Sequence, residues 1–482
     1  MKSFCNLAID TASAKGASYA DIRLIEGENQ SIVLRNGNIA ELDSEEDCGF
    51  GVRVIKNGAW GFASSNDISK EGIERTAVKA VEIAEASASL KKEDIRLSEE
   101  PVYQEVWTGA CLVNPFRVPL ERKVELLTEI DAILRKNPKI AAAESSLRFK
   151  KERKLFVSSE GSVIDQQFVY SGGGFSATAV ENGEVQIRSY PNSFRGQSMS
   201  MGYELIDSLE LLANAERVRE EAVQLLTADP CPQKQTSLIL DGSQLGLQIH
   251  ESVGHPSELD RVLGMESNFA GTSFATPDKL REGFRYGSEI VNLVCDSTVP
   301  GGMATLGFDD DGVRAKRWHI VKDGVFAGYQ TNRELAHRVG QSHSTGNNRA
   351  DGWSHIPMIR IANLSLDPGE WDLEDLIADT DDGIYMDINR LWSIDQRRLN
   401  FQFGCELGWE IKNGKRTRML KNPSYQGITP VFWNSCDAIC SRDFWKLWGV
   451  WNCGKGQPIQ TAAMSHGAAP ARFKNIKVGI SG

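Results

Sequence analysis

The chain lacks any run of about 18 consecutive apolar residues, the length a helix needs to cross a bilayer. Its opening, Met1-Lys2-Ser3-Phe4-Cys5, leads into no apolar stretch of the signal-peptide kind. A cytoplasmic protein with no membrane partner is therefore expected. Excess positive charge is also missing: 54 Lys and Arg stand against 65 Asp and Glu, for a net charge of −11. Nucleic-acid binding relies on basic patches that neutralise phosphate, so no nucleic-acid partner is expected either. Nine cysteines at irregular spacings form no disulfide framework. Most are expected to be buried thiols; Cys436 and Cys440 could meet on a helix face, but no second pair accompanies them to complete a metal site. Histidine is scarce, with seven in 482 residues, which makes any clustering of it informative.

What is present is an ordinary globular composition, 41% hydrophobic and 25% charged, on a chain long enough for two or three domains. Residues 7–14 read as a helix. Residues 21–34 and 39–43 read as strands about a turn at Asn36-Gly37-Asn38, and 50–55 and 60–63 as strands about Lys56-Asn57-Gly58. Asn-Gly between apolar runs is a strong hairpin signal. An amphipathic helix is expected over 70–86, a charged connector over 91–101, and a second helix over 119–136. Strands are expected over 141–149, 154–158 and 163–170, then a helix over 208–228 that Asp229-Pro230-Cys231-Pro232 ends. From residue 236 the chain is rich in glycine, aromatics and short apolar runs, with a further hairpin at Lys322-Asp323-Gly324. The acidic tract 371–382 has no calcium-loop spacing and reads as a solvated helix and turn.

The expected class is α+β. An N-terminal domain, 1–230 with sub-regions of about 1–95 and 101–230, holds antiparallel sheets covered by helices. A mainly β domain, 231–482, follows and carries the metal-binding helix.

That helix is marked by His250-Glu251-Ser252-Val253-Gly254-His255, which spends two of the seven histidines in six residues. H-E-x-x-H places two imidazoles one helical turn apart on a single zinc, with the glutamate handling protons. Here one residue is inserted. On a regular α-helix, positions i and i+5 point roughly 140° apart, too far round to share an ion. A single π-bulge absorbs the extra residue. Gly254, without a Cβ, eases the distortion, and Pro256 disfavours regular continuation. The apolar run 237–240 and the turn-like Asp241-Gly242-Ser243 ahead of the motif predict a strand, turn and helix that hold it rigidly. A catalytic zinc takes three protein ligands. For the third, His319, His337, His343, His355, His466, nine cysteines and many carboxylates remain open on spacing alone.

Residues 250–274, HESVGHPSELDRVLGMESNFAGTSF, resemble the metal-binding segment of the TldD type of the TldD/PmbA family, zinc-dependent metalloproteases once described as modulators of DNA gyrase. The similarity continues through 296–302, 308–312, 322–329, 344–349 and 355–358, and at the N-terminus through 17–23 and 49–54. The resemblance implies that His250 and His255 are zinc ligands, that Glu251 is the catalytic glutamate, and that Cys453 of Cys453-Gly454-Lys455 is the third ligand. Two neutral imidazoles and a thiolate would leave the site at a net charge of about +1, enough to acidify a bound water. Trp448-Gly449-Val450-Trp451-Asn452 ahead of Cys453, and Leu259 where glycine is usual, depart from the family pattern and bear on pocket shape.

The family implies hydrolysis of small or unfolded peptides, including leader peptides of modified precursors. It also implies a homodimer, or a heterodimer with a metal-free TldE/PmbA-type paralogue. Gly271-Thr272-Ser273 could seat an extended substrate or be a plain polar loop, and Arg349 could grip a substrate carboxylate or serve structure. Two rivals stand beside this reading. One is a non-enzymatic regulatory subunit with a structural metal closed by Glu258 or Asp260. The other is a hydrolase of non-peptide amides.

Overall fold

The computed structural model describes residues 2–480. The N-terminal half is built on one eight-stranded sheet in the order Ala59–Ser65, Asn38–Lys56, Tyr19–Arg35, Ile140–Ser158, Val163–Glu181, Gln104–Thr108, with Glu184–Tyr190 and Gln197–Met199 also paired to Val163–Glu181. Gln104–Thr108 runs parallel to its neighbour and the other pairings are antiparallel. The sheet unites the two N-terminal sub-regions, because Tyr19–Arg35 pairs with Ile140–Ser158 from Asp21↔Ser158 to Arg35↔Glu144. Helices Lys2–Ala14 and Lys70–Ala88 bury Ala8, Ala12, Ile73, Ala77 and Val81 against Ile22, Phe50 and Val52. Helices Leu120–Leu134 and Leu211–Leu225 bury Leu127, Ile130, Ala215 and Val218 against Ile32, Leu147 and Phe175. The close fit of helix on sheet needs Gly61, where a Cβ would stand 2.0 Å from the Ala80 carbonyl oxygen.

The three expected hairpin turns form with both central residues left-handed: Asn36 and Gly37, Asn57 and Gly58, Asp323 and Gly324. Two strand expectations are corrected. Residues 39–43 and 50–55 belong to one strand, Asn38–Lys56, and 141–149 and 154–158 to another, Ile140–Ser158. The apparent breaks are charged residues that stay in the ladder, Glu46 opposite Glu28 and Lys151 opposite both Asn29's neighbour Glu28 and Val169. Alternation fails there because Glu45, Lys150, Glu152 and Lys154 line a polar cavity of about 600 Å³ between the two halves. The helix expected over 208–228 is two pieces, Glu204–Ser208 and Leu211–Leu225, separated by Glu210 at φ 49°. The break lets Leu205 and Ile206 on one piece and Leu211 on the next all be buried.

Beyond residue 229 a second eight-stranded sheet runs Asp382–Ile394, Lys234–Leu240, Ala471–Ile480, Pro423–Ile428, Asn400–Lys412, Lys415–Lys421, Asp229–Pro230, with Cys436–Ile439 on Ala471–Ile480. A separate hairpin, Lys446–Lys455 with Gln460–Ala468, lies against helix Gly242–Ile249. Leu238, Leu240, Leu245, Ile249 and Val253 share one core with Ile361, Phe403, Tyr425 and Trp433. The acidic tract forms helix Leu373–Ala378, capped by Asp372. Cys436 and Cys440 lie on and just after a strand rather than on a helix, and all nine cysteines are free. Among the described residues no helix is long and apolar enough to cross a membrane.

The halves are joined by buried charge. Arg188, 2% exposed, donates to Glu221 at 3.0 Å in its own half and to Asp387 at 3.0 Å and Glu406 at 3.2 Å in the other. Burial pushes Glu406 up to about 7 and Asp387 up to about 6, with Arg188 pulling both back. Both carboxyls therefore hold protons more readily folded than unfolded, so their contribution to stability is present at acid pH and is lost as the pH rises through about 7. Arg188→Met leaves Asp387 and Glu406 without their cation, while Glu221 keeps Arg217, and is expected to cost roughly 3–5 kcal/mol. The loss should be larger near pH 8 than near pH 6, where the orphaned carboxyls can protonate. Urea midpoints at the two pH values check this.

Candidate active site

Strand Lys234–Leu240 delivers the chain to Asp241, whose Oδ2 accepts the Ser243 N–H at 2.9 Å and starts helix Gly242–Ile249. At His250 the helix widens into a π turn, His250–Gly254, in which the His255 N–H donates to the His250 carbonyl. This i→i+5 bond brings both rings to one side, with centroids 4.7 Å apart and planes at 81°. Pro256 then sits in a 3₁₀ turn, His255–Ser257, after which the chain is extended at Glu258. Gly254 serves through its missing Cβ, as expected. Its φ is −61°, open to any residue, but a Cβ there would stand 2.9 Å from Cδ1 of the buried Ile361. A side chain at this position would have to displace Ile361. The Gly254 carbonyl accepts from Gln330 Nε2 at 3.0 Å and from Ser257 Oγ at 2.9 Å.

Cys453 comes from the strand Lys446–Lys455, where the register slips between Val450 and Cys453. Such a bulge re-aims a side chain, and here the Cys453 Sγ lies 3.5 Å from His255 Nε2. One donor atom each from His250, His255 and Cys453 lies within 4.8 Å of the others, and all three residues are buried. His319, His337, His343, His355 and His466 are outside this group.

The surrounding hydrogen bonds fix which nitrogen carries each proton. His466 Nδ1 faces the Leu364 carbonyl at 2.9 Å, and a carbonyl only accepts, so that nitrogen is protonated. His466 Nε2 is then an acceptor, and His250 Nδ1, 2.8 Å away, donates to it. The lone pair of His250 is left on Nε2. In the same way His255 Nδ1 donates to Glu258 Oε2 at 2.8 Å and keeps its lone pair on Nε2, towards Cys453. Glu258, fully buried, is held in turn by Lys455 at 3.1 Å, and Lys455 also donates to Asp260 at 2.8 Å and to the Ile359 carbonyl at 2.7 Å.

Electrostatics favour the metal-binding form at two of the three donors, Cys453 and His255. Burial alone would push the Cys453 thiol up, but the His255 and His250 rings outweigh it and hold the thiol well below its ordinary range. Burial keeps His255 well below the usual imidazole value, hence neutral. His250 is also disfavoured as a cation by burial, but the Cys453 thiolate outweighs this and raises it. Two nitrogens and a thiolate with oriented lone pairs suit a divalent metal of borderline softness. Glu258 and Asp260, the candidates for a fourth, closing ligand, are engaged with His255 and Lys455 and are not free to join the three donors.

Glu251 stands on the π turn beside His250, and its Oε2 accepts from Arg398 Nη1. Its Oε1 carries no hydrogen bond among the described residues. Arg349 spends its guanidinium on the carbonyls of Ala463 at 2.6 Å and Ile361 at 2.7 Å, a structural task. Gly271-Thr272-Ser273 forms no strand; the Ala270 carbonyl is taken by Arg261 at 2.5 Å, and Ser273 Oγ donates to the Pro256 carbonyl at 2.7 Å. His466, Arg398 and the Glu258–Lys455 pair were not singled out from the sequence in these positions. His466 carried a signal as one of seven histidines, Glu258 as a candidate closing ligand and Lys455 as the lysine beside Cys453, whereas Arg398 carried none.

Residues 20–84, 113–227 and 233–479 match, in turn, the family models for PmbA/TldA metallopeptidase domain 1, the central domain and the C-terminal domain. The chain belongs to the PmbA/TldA metallopeptidase family. Within that metallopeptidase family, a metalloprotease of Methanocaldococcus jannaschii is 33% identical over 92% of this chain and 93% of its own length. A zinc metalloprotease TldD homolog of Saccharolobus solfataricus is 24% identical over 98% of both chains. The fold is shared with a putative modulator of DNA gyrase from Thermotoga maritima, at a TM-score of 0.78 and 17% identity over 99% of both chains. It is shared also with TldE from Thermococcus kodakarensis, at a TM-score of 0.70 and 16% identity over 99% of both.

Because His466 alone sets the proton on His250, His466→Leu is expected to weaken metal binding about 10- to 100-fold. His466→Gln, whose amide oxygen can accept the same bond, should recover much of the loss. Competition for zinc with a chromophoric chelator measures both.

Proposed function

We propose that this metallopeptidase is a zinc enzyme that cleaves small or unfolded peptides, leader peptides of modified precursors among them, in the cytoplasm. His250, His255 and Cys453 would hold the zinc, offering Nε2, Nε2 and Sγ. Zinc held there supplies Lewis acidity towards a water and the scissile carbonyl. Glu251 is the general base. With Oε2 occupied by Arg398, its Oε1 receives the proton of the attacking water and passes it to the leaving amine. Burial of the Glu251 carboxylate, 8% exposed, excludes competing solvent from this exchange. His466 and Glu258 keep the imidazole lone pairs aimed throughout.

The single observation that carries this reading is the convergence of three donors with oriented lone pairs beside a carboxylate that keeps one oxygen free. The regulatory reading with a structural metal needs a fourth protein ligand, and the carboxylates nearest in sequence are already engaged. A dimer, with itself or with a metal-free paralogue, is proposed as the working form; the shared fold with TldE supports such a pairing.

Glu251→Gln is expected to reduce cleavage of an unfolded peptide by at least about 100-fold while zinc content stays at the wild-type level. His250→Ala and Cys453→Ser should lose both activity and zinc. Elemental analysis beside a peptide-cleavage assay reads these outcomes, and a fully active Gln variant would rule out the base assignment.

A further inference from the structure

Arg398 lies in the turn between strands Asp382–Ile394 and Asn400–Lys412, and its backbone is left-handed, with φ 61°. A non-glycine residue is uncommon in that region, and outside Asn and Asp it is held there by its surroundings. Here the enforcement is extensive. Asp395 accepts the backbone N–H groups of Leu399 at 2.9 Å and Asn400 at 3.0 Å, and its carbonyl accepts that of Arg398 at 2.9 Å. Thr429 Oγ1 donates to the Arg398 carbonyl at 2.9 Å, and the Phe274 N–H donates to that of Arg397 at 2.9 Å.

The side chain so positioned is unsaturated. Arg188 engages three carboxylates, and Arg333 engages both oxygens of Glu160 and the Ser98 carbonyl. Arg398 makes one side-chain hydrogen bond among the described residues, from Nη1 to Glu251 Oε2, and its buried Nε has no partner. A guanidinium offers five N–H donors, so most of its capacity is unspent beside the general base. It is also the outer member of the pair, 15% exposed against 8% for Glu251.

Resting on the peptidase reading above, we infer that Arg398 is a catalytic residue that donates to the scissile carbonyl oxygen as negative charge develops on it, while Nη1 stays on Glu251. The balance of the step is that of hydrolysis. The water oxygen bonds to the carbonyl carbon, the C–N bond breaks, and the water proton reaches the amine through Glu251. Arg398 exchanges no proton; its role is to oppose charge that exists only part-way along the reaction. Such a donor strengthens binding of the transition state more than of the substrate.

The test uses the zinc-loaded full chain and a phosphinic peptide, whose tetrahedral anionic phosphorus group mimics the hydrated carbonyl. Arg398→Ala and Arg398→Gln should keep wild-type zinc content and lose about 100- to 1,000-fold in kcat with little change in KM. Phosphinate affinity, read by calorimetry, should fall in step. The deciding comparison is Glu251→Gln against Glu251→Gln/Arg398→Ala. If Arg398 donates to the oxygen, phosphinate binding falls on its removal even with Glu251 neutralised; if it only positions Glu251, the two bind equally and the inference is overturned. A rise in KM confined to substrates with a free C-terminal carboxylate would also overturn it, by showing a substrate anchor. Wild-type chain that holds zinc yet neither cleaves peptides nor binds the phosphinate would sink the peptidase reading as well, whereas an active wild type with an indifferent Arg398→Ala sinks only this inference.

Discussion

One hydrogen bond, from the His255 N–H to the His250 carbonyl, governs the geometry of the site. In a regular helix the two imidazoles would diverge, and no rotamer choice would return both to one ion. Widening one turn by a residue turns them towards each other, and the rest of the region accommodates that turn. Ile361 fills the space that a side chain at Gly254 would need, Gln330 and Ser257 take up the carbonyl that the distortion frees, and Trp433 Nε1 donates to Ser252 Oγ at 3.0 Å from the core side. A π turn is a poor structure in isolation. It persists because the Gly254 and Ser252 carbonyls and the Ser252 hydroxyl find partners in a buried shell.

The same economy extends outward. Each imidazole is held by a second group that can only accept, so the lone pairs are aimed before any ligand arrives. Lys455, two residues after Cys453, ties Glu258 and Asp260 to the strand that carries the thiol, so the histidine turn and the cysteine strand are locked by one buried ammonium. Arg360 reinforces the lock by donating to the Cys453 and Gln460 carbonyls. Charged side chains this deeply buried are costly unless fully paired. Here Lys455 is paired with two carboxylates and Arg360 is held by two carbonyls, across elements far apart in sequence, so the arrangement depends on the complete fold.

Much of the local structure was legible in the residues. The hairpins at Asn36-Gly37, Asn57-Gly58 and Asp323-Gly324 follow from residues that tolerate positive φ, and the helix over 70–86 from its apolar spacing. The extra residue between His250 and His255 called for a π turn, and one is present. The long strands were read as fragments because their middles face a polar cavity and lose the alternation that marks a half-buried strand. The kink at Glu210 was invisible because it answers to what each helical piece packs against, and Leu211 carries no sign of that.

The sequence by itself determined which chemistry is available: two imidazoles, a carboxylate and their spacing, since these depend only on residue type and on the local period of the backbone. Tertiary structure alone decided the rest. It brought the thiol of Cys453, the third ligand that the family resemblance implies, within reach of the pair, put His466 behind His250 across 216 residues, and set Arg398 beside Glu251 across 147. Those partners are brought together by sheet order and a bulge, which arise from the packing of the whole chain, and no local pattern of side chains encodes where distant strands will end.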